Sequence, residues 1–162
     1  MEQGDFQMAR RGISQMSKGE FFYRTPDNPL RSQKNLLFTV NTICRIAAVD
    51  GGADVVRVHE ISDLFAIRIE QARSGLETTM LEEEMLRAYC QIVMETKTRG
   101  HSAPVAKAIQ YMYAHFDQPL TMEKIAEAIH LVRVFVENFQ AEMHVTVGEY
   151  LNRLRIEKAE GI

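Results

Sequence analysis

Two side chains in the C-terminal third of the sequence are of the types that read DNA bases. Arg133 and Asn138 lie five residues apart in one predicted helix, and arginine and asparagine form paired hydrogen bonds with the edges of guanine and adenine. We predict that both residues, with Val134 beside them, contact bases in a major groove. Single Arg and Asn residues are also common on exposed helices, and Glu137 would repel phosphate, so an ordinary surface helix is the alternative.

Phosphate contacts are predicted on both sides of this helix. Thr121 and Lys124 precede it, and Arg153, Arg155 and Lys158 follow it along a third helix. Hydroxyl and basic side chains bind phosphate oxygens and so position a protein on DNA. Each residue also has a structural alternative: helix capping for Thr121, solvent exposure for Lys124, and a solvated helix face for the other three.

Three alternating valines on the predicted groove-reading helix have two interpretations. Val132, Val134 and Val136 are unusual on a face that reads DNA. They are either core contacts or an exposed apolar patch that meets another protein.

No set of residues has the spacing of a catalytic or metal centre. The chain contains no HExxH, CxxC, P-loop or GxGxxG pattern, each of which would place reactive groups together. His59, Glu60 and Asp63 lie within one turn, but such a set on an amphipathic helix is most simply a solvated face. Cys44 and Cys90 lie on apolar helix patterns, where we expect reduced, packed thiols. We therefore predict no enzyme activity, no metal and no cofactor.

Two short predicted helices and a third one position the candidate DNA contacts. Thr121 can cap the first helix by accepting a hydrogen bond from an amide of the first turn. The second helix, Arg133–Met143, carries apolar side chains at i, i+4 and i+8, namely Phe135, Phe139 and Met143. His130 and Leu131 form the joint, which lacks the glycine often found there. The arrangement is typical of a helix-turn-helix pair, whose second helix can enter the DNA groove.

Three longer helices are predicted ahead of this region. The first covers about residues 30–49 and ends at residues 50–52, Asp-Gly-Gly, since glycine adopts the left-handed geometry of a helix end. The second covers residues 55–72. Its predicted inward face consists of Ile61, Leu64, Phe65, Ile69 and Ala72. A capping box of Thr79 and Glu82 is predicted to open the third helix.

A joint at residues 97–100 is predicted to separate two domains, residues 1–99 and residues 100–162. Ser102 is expected to cap the first helix of the second domain, because it precedes Ala-Pro and a serine hydroxyl accepts from a first-turn amide. The first 28 residues are the least regular part, with one predicted amphipathic helix.

The charge balance is unfavourable for a DNA-binding domain. The chain has 46% hydrophobic and 25% charged residues and a net charge of -3. Residues 100–162 contain six Lys or Arg against eight Asp or Glu, which gives a net charge of -2. Since affinity for duplex DNA comes largely from neutralised phosphates, only a local basic stripe could supply it.

Two segments of the second domain resemble the AraC family of bacterial transcription regulators. Asp117–Leu131, DQPLTMEKIAEAIHL, is similar to the first helix of that family's first helix-turn-helix, and Gly148–Ala159, GEYLNRLRIEKA, is similar to the start of its linker helix. Residues 31–74 and 82–90 are similar to the helical segment ahead of the DNA-binding domain in some AraC-type regulators of Gram-positive bacteria. The resemblance implies a regulatory or dimer-forming front domain and DNA binding through residues 133–143.

The segment between the two matches departs from the family pattern. It is one residue shorter, it lacks the serine cap, the basic pair and the terminal glycine, and it has Glu137 at the usual arginine position. The family has a second helix-turn-helix after the linker helix, whereas this sequence ends at Ile162. A truncated or degenerate regulator is therefore expected, whose isolated chain binds DNA weakly and with strong salt dependence.

These patterns predict an all-α protein with a helical N-terminal domain, followed by a single three-helix helix-turn-helix unit with part of a linker helix. The predicted function is transcription regulation, with double-stranded DNA and a second copy or a partner regulator as its partners. The alternative is an interaction protein that dimerises with itself or with an intact regulator and has lost DNA readout. No run approaches the roughly 18 apolar residues of a membrane span, and no signal-peptide pattern is present, so we expect a cytoplasmic protein.

Overall fold

The fold is helical throughout the part of the chain that a computed structural model describes, which is residues 11–12, 27–130 and 134–160. Seven helices are numbered here in chain order: α1 (Pro29–Asp50), α2 (Val55–Gln71), α3 (Gly75–Thr98), α4 (Ala103–His115), α5 (Met122–Ala128), α6 (Val134–Met143) and α7 (Val147–Glu160). No strand occurs among the described residues, so the all-α prediction is confirmed. The amphipathic helix predicted near the N-terminus lies largely outside the described residues.

The described residues form two compact units that divide between Thr96 and Lys97. We call the part before this point the front unit and the part after it the C-terminal unit. The predicted domain boundary lies three residues further along the chain. None of the described helices combines the length and apolarity that a bilayer crossing requires.

Local side-chain caps set the first two helix starts. The Asn28 side chain accepts a hydrogen bond of 3.0 Å from the Arg31 amide at the start of α1, and Asp54 accepts one of 3.0 Å from the Arg57 amide at the start of α2. Between these helices Gly52 has a φ of 89°. This left-handed conformation costs glycine little, so the predicted stop at the end of α1 is confirmed.

The predicted capping box at the start of α3 is wrong. The helix begins at Gly75 rather than near Thr79, and the Thr79 hydroxyl instead donates to the Gly75 carbonyl at 3.0 Å inside the first turns. The box is formed five residues earlier: Ser74 Oγ accepts from the Glu77 amide at 3.2 Å, and the Glu77 carboxylate accepts from the Arg73 amide at 2.8 Å. Both boxes fit the sequence pattern. The earlier start places Thr78 within α3, where it is buried and its hydroxyl donates to Gln33 of α1 at 3.0 Å.

A buried polar network joins the three helices of the front unit. The Tyr89 hydroxyl of α3 donates to Asn41 Oδ1 of α1 at 2.7 Å, and Asn41 Nδ2 donates to the Ser62 carbonyl of α2 at 2.9 Å. Burial raises the pKa of Tyr89 above its usual value, which keeps its hydroxyl protonated as a donor. Because every member has a partner, the network avoids the cost of an unpaired buried polar group.

The apolar core around this network includes most of the predicted inward face of α2. Phe65, Ile69 and Ala72 are buried. Leu64 is the exception, since 55% of it is exposed. The prediction was wrong there because Leu64 lies beside the buried stripe in sequence but on the outer side of α2. Because apolar residues are common on helix surfaces, periodicity alone could not show that Leu64 is exposed.

Both cysteines are free thiols, as predicted, and both are half-buried. Burial, more than the nearby Cys90 and Glu82, raises the pKa of Cys44 to about 12. The protonated thiol is a poor nucleophile, so Cys44 acts as a packing residue.

Candidate nucleic-acid interface

Helix α5 begins at the predicted cap. Thr121 Oγ1 accepts a hydrogen bond of 3.3 Å from the Lys124 amide, which confirms the capping role. Both side chains are exposed, although Lys124 Nζ also donates to the Pro119 carbonyl at 3.1 Å. On the other side of this short helix Ile125 and Ala126 are buried. The cap therefore presents a hydroxyl and an ammonium group at the surface while the helix itself is anchored.

The joint after α5 uses a histidine where such turns usually have glycine. His130 has a φ of 57°, and its amide donates to the Glu127 carbonyl at 3.1 Å. A non-glycine residue in this region costs about 1 kcal/mol, and the exposed imidazole is accommodated in solvent. Residues 131–133, which complete the joint and include Arg133, lie outside the described residues.

Helix α6 is anchored on one side by aromatic packing. Phe135 and Phe139 are fully buried, and their rings meet edge to face with centroids 5.5 Å apart. Phe139 meets Tyr150 of α7 in the same manner at 5.6 Å. These edge-to-face contacts add to the gain from burial. Met143, predicted to be buried with them, is half-buried.

Two described residues of α6 away from this packing face solvent. Gln140 and Ala141 are exposed, whereas Asn138 is half-buried. The side chains of Val134, Val136 and Glu137 lie outside the described residues, as does all of Val132, so the two interpretations of the valines stay open. Gln140 was missed as a candidate base contact, although glutamine pairs with adenine as asparagine does. Gln140 follows the buried Phe139 by one residue, which places it about 100° around the helix. This spacing could have identified Gln140 as lying away from the packed side.

Helix α6 ends as α5 does. His144 has a φ of 55°, and its amide donates to the Gln140 carbonyl at 3.0 Å. This is the place where the AraC pattern has its terminal glycine. Histidine thus replaces glycine at a left-handed position after both helices of the pair.

A capping box begins α7 immediately afterwards. The Glu149 carboxylate accepts from the Thr146 amide at 2.8 Å, and Thr146 Oγ1 accepts from the Glu149 amide at 3.2 Å. Hydrogen bonds from the Thr146 amide and hydroxyl lower the pKa of Glu149. The box is a local feature that fixes where α7 starts.

Two of the three predicted phosphate contacts on α7 bind elements of the same unit. Arg155 Nε donates to the Phe116 carbonyl at 2.9 Å, and its Nη2 donates to the Gln118 carbonyl at 2.8 Å. Lys158 Nζ lies 5.3 Å from the Tyr113 ring centroid. Arg153, by contrast, is exposed. Arg155 therefore fastens α7 to the connection between α4 and α5.

A second long-range bond joins α6 to the start of α4. Glu142 accepts from the Ser102 amide at 2.8 Å, and His101 Nδ1 lies 3.6 Å from the same carboxylate oxygen. Hydrogen bonding from Ser102 lowers the pKa of Glu142. The prediction that the Ser102 hydroxyl caps α4 is wrong, since that hydroxyl makes no capping bond. A carboxylate of α6 instead accepts from the amide of Ser102 itself.

The eight predicted DNA contacts fall into three groups by solvent exposure. Thr121, Lys124 and Arg153 are exposed, Asn138, Arg155 and Lys158 are half-buried, and Arg133 and the side chain of Val134 lie outside the described residues.

No group of three or more His, Cys, Asp or Glu residues in the described ranges could hold a metal ion.

Comparisons with known proteins identified no relative of this chain. The chain matches no protein-family model, no curated protein and no solved structure. The AraC resemblance therefore rests on Asp117–Leu131, Gly148–Ala159 and the segment ahead of them.

Proposed function

We propose that this chain is a DNA-binding transcription regulator of the AraC type that inserts α6 into a major groove. The observation that carries the proposal is the unequal environment of the two sides of α6. Phe135 and Phe139 anchor one side at full burial, while Gln140 and Ala141 on the other side meet solvent. A helix that reads DNA needs such a rigid base and an unobstructed outer face.

The electrostatic part of the proposal depends on few cations. Arg153 is exposed, while Lys124 and Arg155 each donate hydrogen bonds to main-chain carbonyls. An ammonium group has three donors and a guanidinium has five, so both retain donors for phosphate. With these few contacts and a net charge of -2 for residues 100–162, binding is expected to be weak and lost as salt rises. Such a regulator would act in the cytoplasm.

A mobility-shift titration tests this proposal. The full chain is titrated against bacterial promoter DNA at low salt, beside a control protein of equal acidity and size. We expect a retarded band for the chain alone, and at least a ~10-fold loss of affinity for Gln140→Glu, because the new carboxylate would face the phosphates. Gln71→Glu makes the same change at an exposed site of the front unit and should bind as the parent does. Equal binding by the chain and the acidic control protein refutes the proposal.

A second candidate function is a protein-interaction module that pairs with itself or with an intact regulator and has lost DNA readout. The use of Arg155 and Lys124 in internal bonds favours it, since these are among the few cations of residues 100–162. Size-exclusion chromatography with light scattering tests it. A chain that stays monomeric and shows no affinity for a full-length AraC-type regulator rules this candidate out.

A further inference from the structure

Helix α1 exposes a stripe of residues without an ionisable side chain. From residue 35 to residue 49 the exposed positions are Asn35, Thr39, Thr42, Ile43, Ile46, Ala47 and Val49. Ile46 is 55% exposed and Ile43 is 44% exposed. In a chain with 25% charged residues, a helix face of this length without charge is unusual, and exposed apolar surface of this kind marks interaction sites.

Four residues of this stripe have the spacing of a helix-pairing surface. Thr39, Thr42, Ile46 and Val49 follow one another at intervals of three, four and three residues. This is the a/d repeat with which two helices pack side by side. We call these four residues the α1 seam.

The threonines of the α1 seam need no further polar partner. Thr39 Oγ1 donates to the Asn35 carbonyl at 3.1 Å, and Thr42 Oγ1 donates to the Phe38 carbonyl at 3.0 Å. Because each hydroxyl already has an acceptor one turn back, burying these side chains leaves no donor unpaired. The α1 seam can therefore be covered by an apolar surface without a desolvation penalty from its hydroxyl donors.

The α1 seam is complementary to itself when two copies run in opposite directions. A two-fold axis near residue 44 places Thr42 opposite Ile46 of the second copy and Thr39 opposite Val49 of the second copy. The central layer then combines the smaller Thr42 with the larger Ile46, while Thr39 and Val49 in the outer layer are nearly equal in size. A parallel pairing would instead place the two isoleucines together and the two threonines together, which fills space less evenly.

A groove extends this surface towards α2. Its volume is about 210 Å³. Arg45, Ile46, Val49 and Asp50 form its α1 side, and Val55, Val58 and His59 form its α2 side. Val55 is 59% exposed. The apolar surface thus continues beyond the α1 seam at the end where a second copy of α1 would begin.

Another exposed apolar face of the front unit, on α2, fits a second copy less well. On α2, Val56 and Ile67 are 66% and 57% exposed, but Glu60 and Asp63 lie between them and are exposed as well. The antiparallel pairing that places Val56 opposite Ile67 also places Glu60 opposite Asp63. Two carboxylates would then face each other across the axis, which is unfavourable.

We propose that two copies of this chain associate through the α1 seam, with the two α1 helices antiparallel. This inference deepens the second candidate function, because it names the partner as a second copy and gives the surface and the register. One half-helix and a small groove bury less area than the ~800 Å² per partner of a standard interface. The dimer is accordingly weak, with a Kd on the order of 10–100 µM.

Charge complementation tests both the surface and the register. Sedimentation equilibrium of the full chain at ~100 µM, near the expected Kd, should give a mass between one and two chains. Thr42→Glu and Ile46→Lys should each reduce it to the mass of one chain. An equimolar mixture of the two variants should restore the two-chain species, since only an antiparallel pair brings the carboxylate introduced at position 42 close to the ammonium group introduced at position 46 of the other copy. Ile67→Lys, an equally exposed change on α2, should associate as the parent does, and its mixture with Thr42→Glu should gain nothing.

Each contrary result overturns the inference. A parent chain with the mass of one chain at the highest concentration removes the dimer. Association that survives Ile46→Lys removes the α1 seam but leaves the second candidate function standing, so the two failures are distinguishable. The antiparallel register is wrong if the two monomeric variants, shown by circular dichroism to be folded, do not form the two-chain species when they are mixed. The measurement contains no DNA, so it does not depend on the first proposed function.

Discussion

In the front unit a buried polar network joins three long helices, whereas in the C-terminal unit aromatic packing and bonds to main-chain groups join four shorter ones. The network of Asn41, Ser62 and Tyr89 lies inside the front unit, and the exposed positions of α1 between residues 35 and 49 are uncharged. In the C-terminal unit, Arg155 and Glu142 hold helix ends from the outside. Ionisable side chains link helices in both units, since Arg57 pairs with Glu95 and Arg68 with Glu84 between α2 and α3. The exposed positions of α1 between residues 35 and 49 differ from both in having no charge.

The comparison also shows how each unit can be broken separately. Long helices with an internal core depend on interior contacts, while short helices depend on their anchors and ends, because a short helix has little stability of its own. Changes in one unit should therefore leave unfolding of the other largely unaffected.

Phe139→Ala should unfold the C-terminal unit selectively. Phe139 is fully buried and contacts both Phe135 and Tyr150, and truncating a buried phenylalanine costs about 3–5 kcal/mol. Amide hydrogen exchange should show lost protection in α4 to α7 with retained protection in α1 to α3. Gln140→Ala, at the exposed neighbouring position, is the control and should leave amide protection in both units unchanged. Equal loss of protection in both units would mean that they fold as one body.

Tyr89→Phe should destabilise the front unit by about 1–3 kcal/mol, since it leaves Asn41 Oδ1 buried without its donor. Urea unfolding followed by amide signals of α1 and α2 measures this loss. The C-terminal unit should unfold at the urea concentration of the parent. An unchanged midpoint for the front unit would show that the network contributes specificity rather than stability.

Arg155→Ala should lower the free energy of unfolding of the C-terminal unit by about 1 kcal/mol, because two charge-assisted bonds to the Phe116 and Gln118 carbonyls are lost from a partly exposed site. Arg153→Ala removes the same charge from an exposed side chain and should leave stability near that of the parent. Comparing DNA affinity of the two variants then sharpens the functional question. A loss with Arg153→Ala alone identifies a phosphate contact, while a loss with Arg155→Ala alone reflects the positioning of α5.

Acid should weaken the link between α4 and α6. Hydrogen bonding from Ser102 holds the pKa of Glu142 below its ordinary value of 4.5, so the ionised carboxylate stabilises the folded state above that pH. This contribution declines as the pH falls through the lowered folded-state pKa. The difference in Tm between the parent and Glu142→Gln should therefore shrink as the pH falls below 4.5. A difference that grows in acid would reverse the assigned sign.

Most of the fold could be predicted where the deciding signal lies within one turn of the chain. The stop after α1, the Thr121 cap of α5 and the buried pair Phe135 and Phe139 all depend on residues at most four positions apart. The errors arose where two local signals were equally good or where the partner was distant. Ser74 and Thr79 both begin a capping-box pattern, and only the earlier start includes the buried Thr78 in α3, where it contacts the distant Gln33.

The candidate site was less predictable than the fold. Arg153 is exposed and Arg155 is half-buried, but residue type could not separate them, because both are arginines two residues apart on one helix. Helical spacing from Phe139 would have identified Gln140, which residue type alone did not. The role of α6 in DNA binding stays a prediction that the mobility-shift titration decides.

The sequence by itself determined the helices, because caps, glycine stops and apolar periodicity act through hydrogen bonds and spacings inside a single segment. Only the tertiary structure decided which polar groups meet. Arg155 reaches a carbonyl 39 residues away, Glu142 reaches an amide 40 residues away, and Tyr89 reaches Asn41 across 48 residues. Such pairs depend on how finished helices pack, since a side chain finds its distant partner only after the intervening chain has folded and brought both groups to one place.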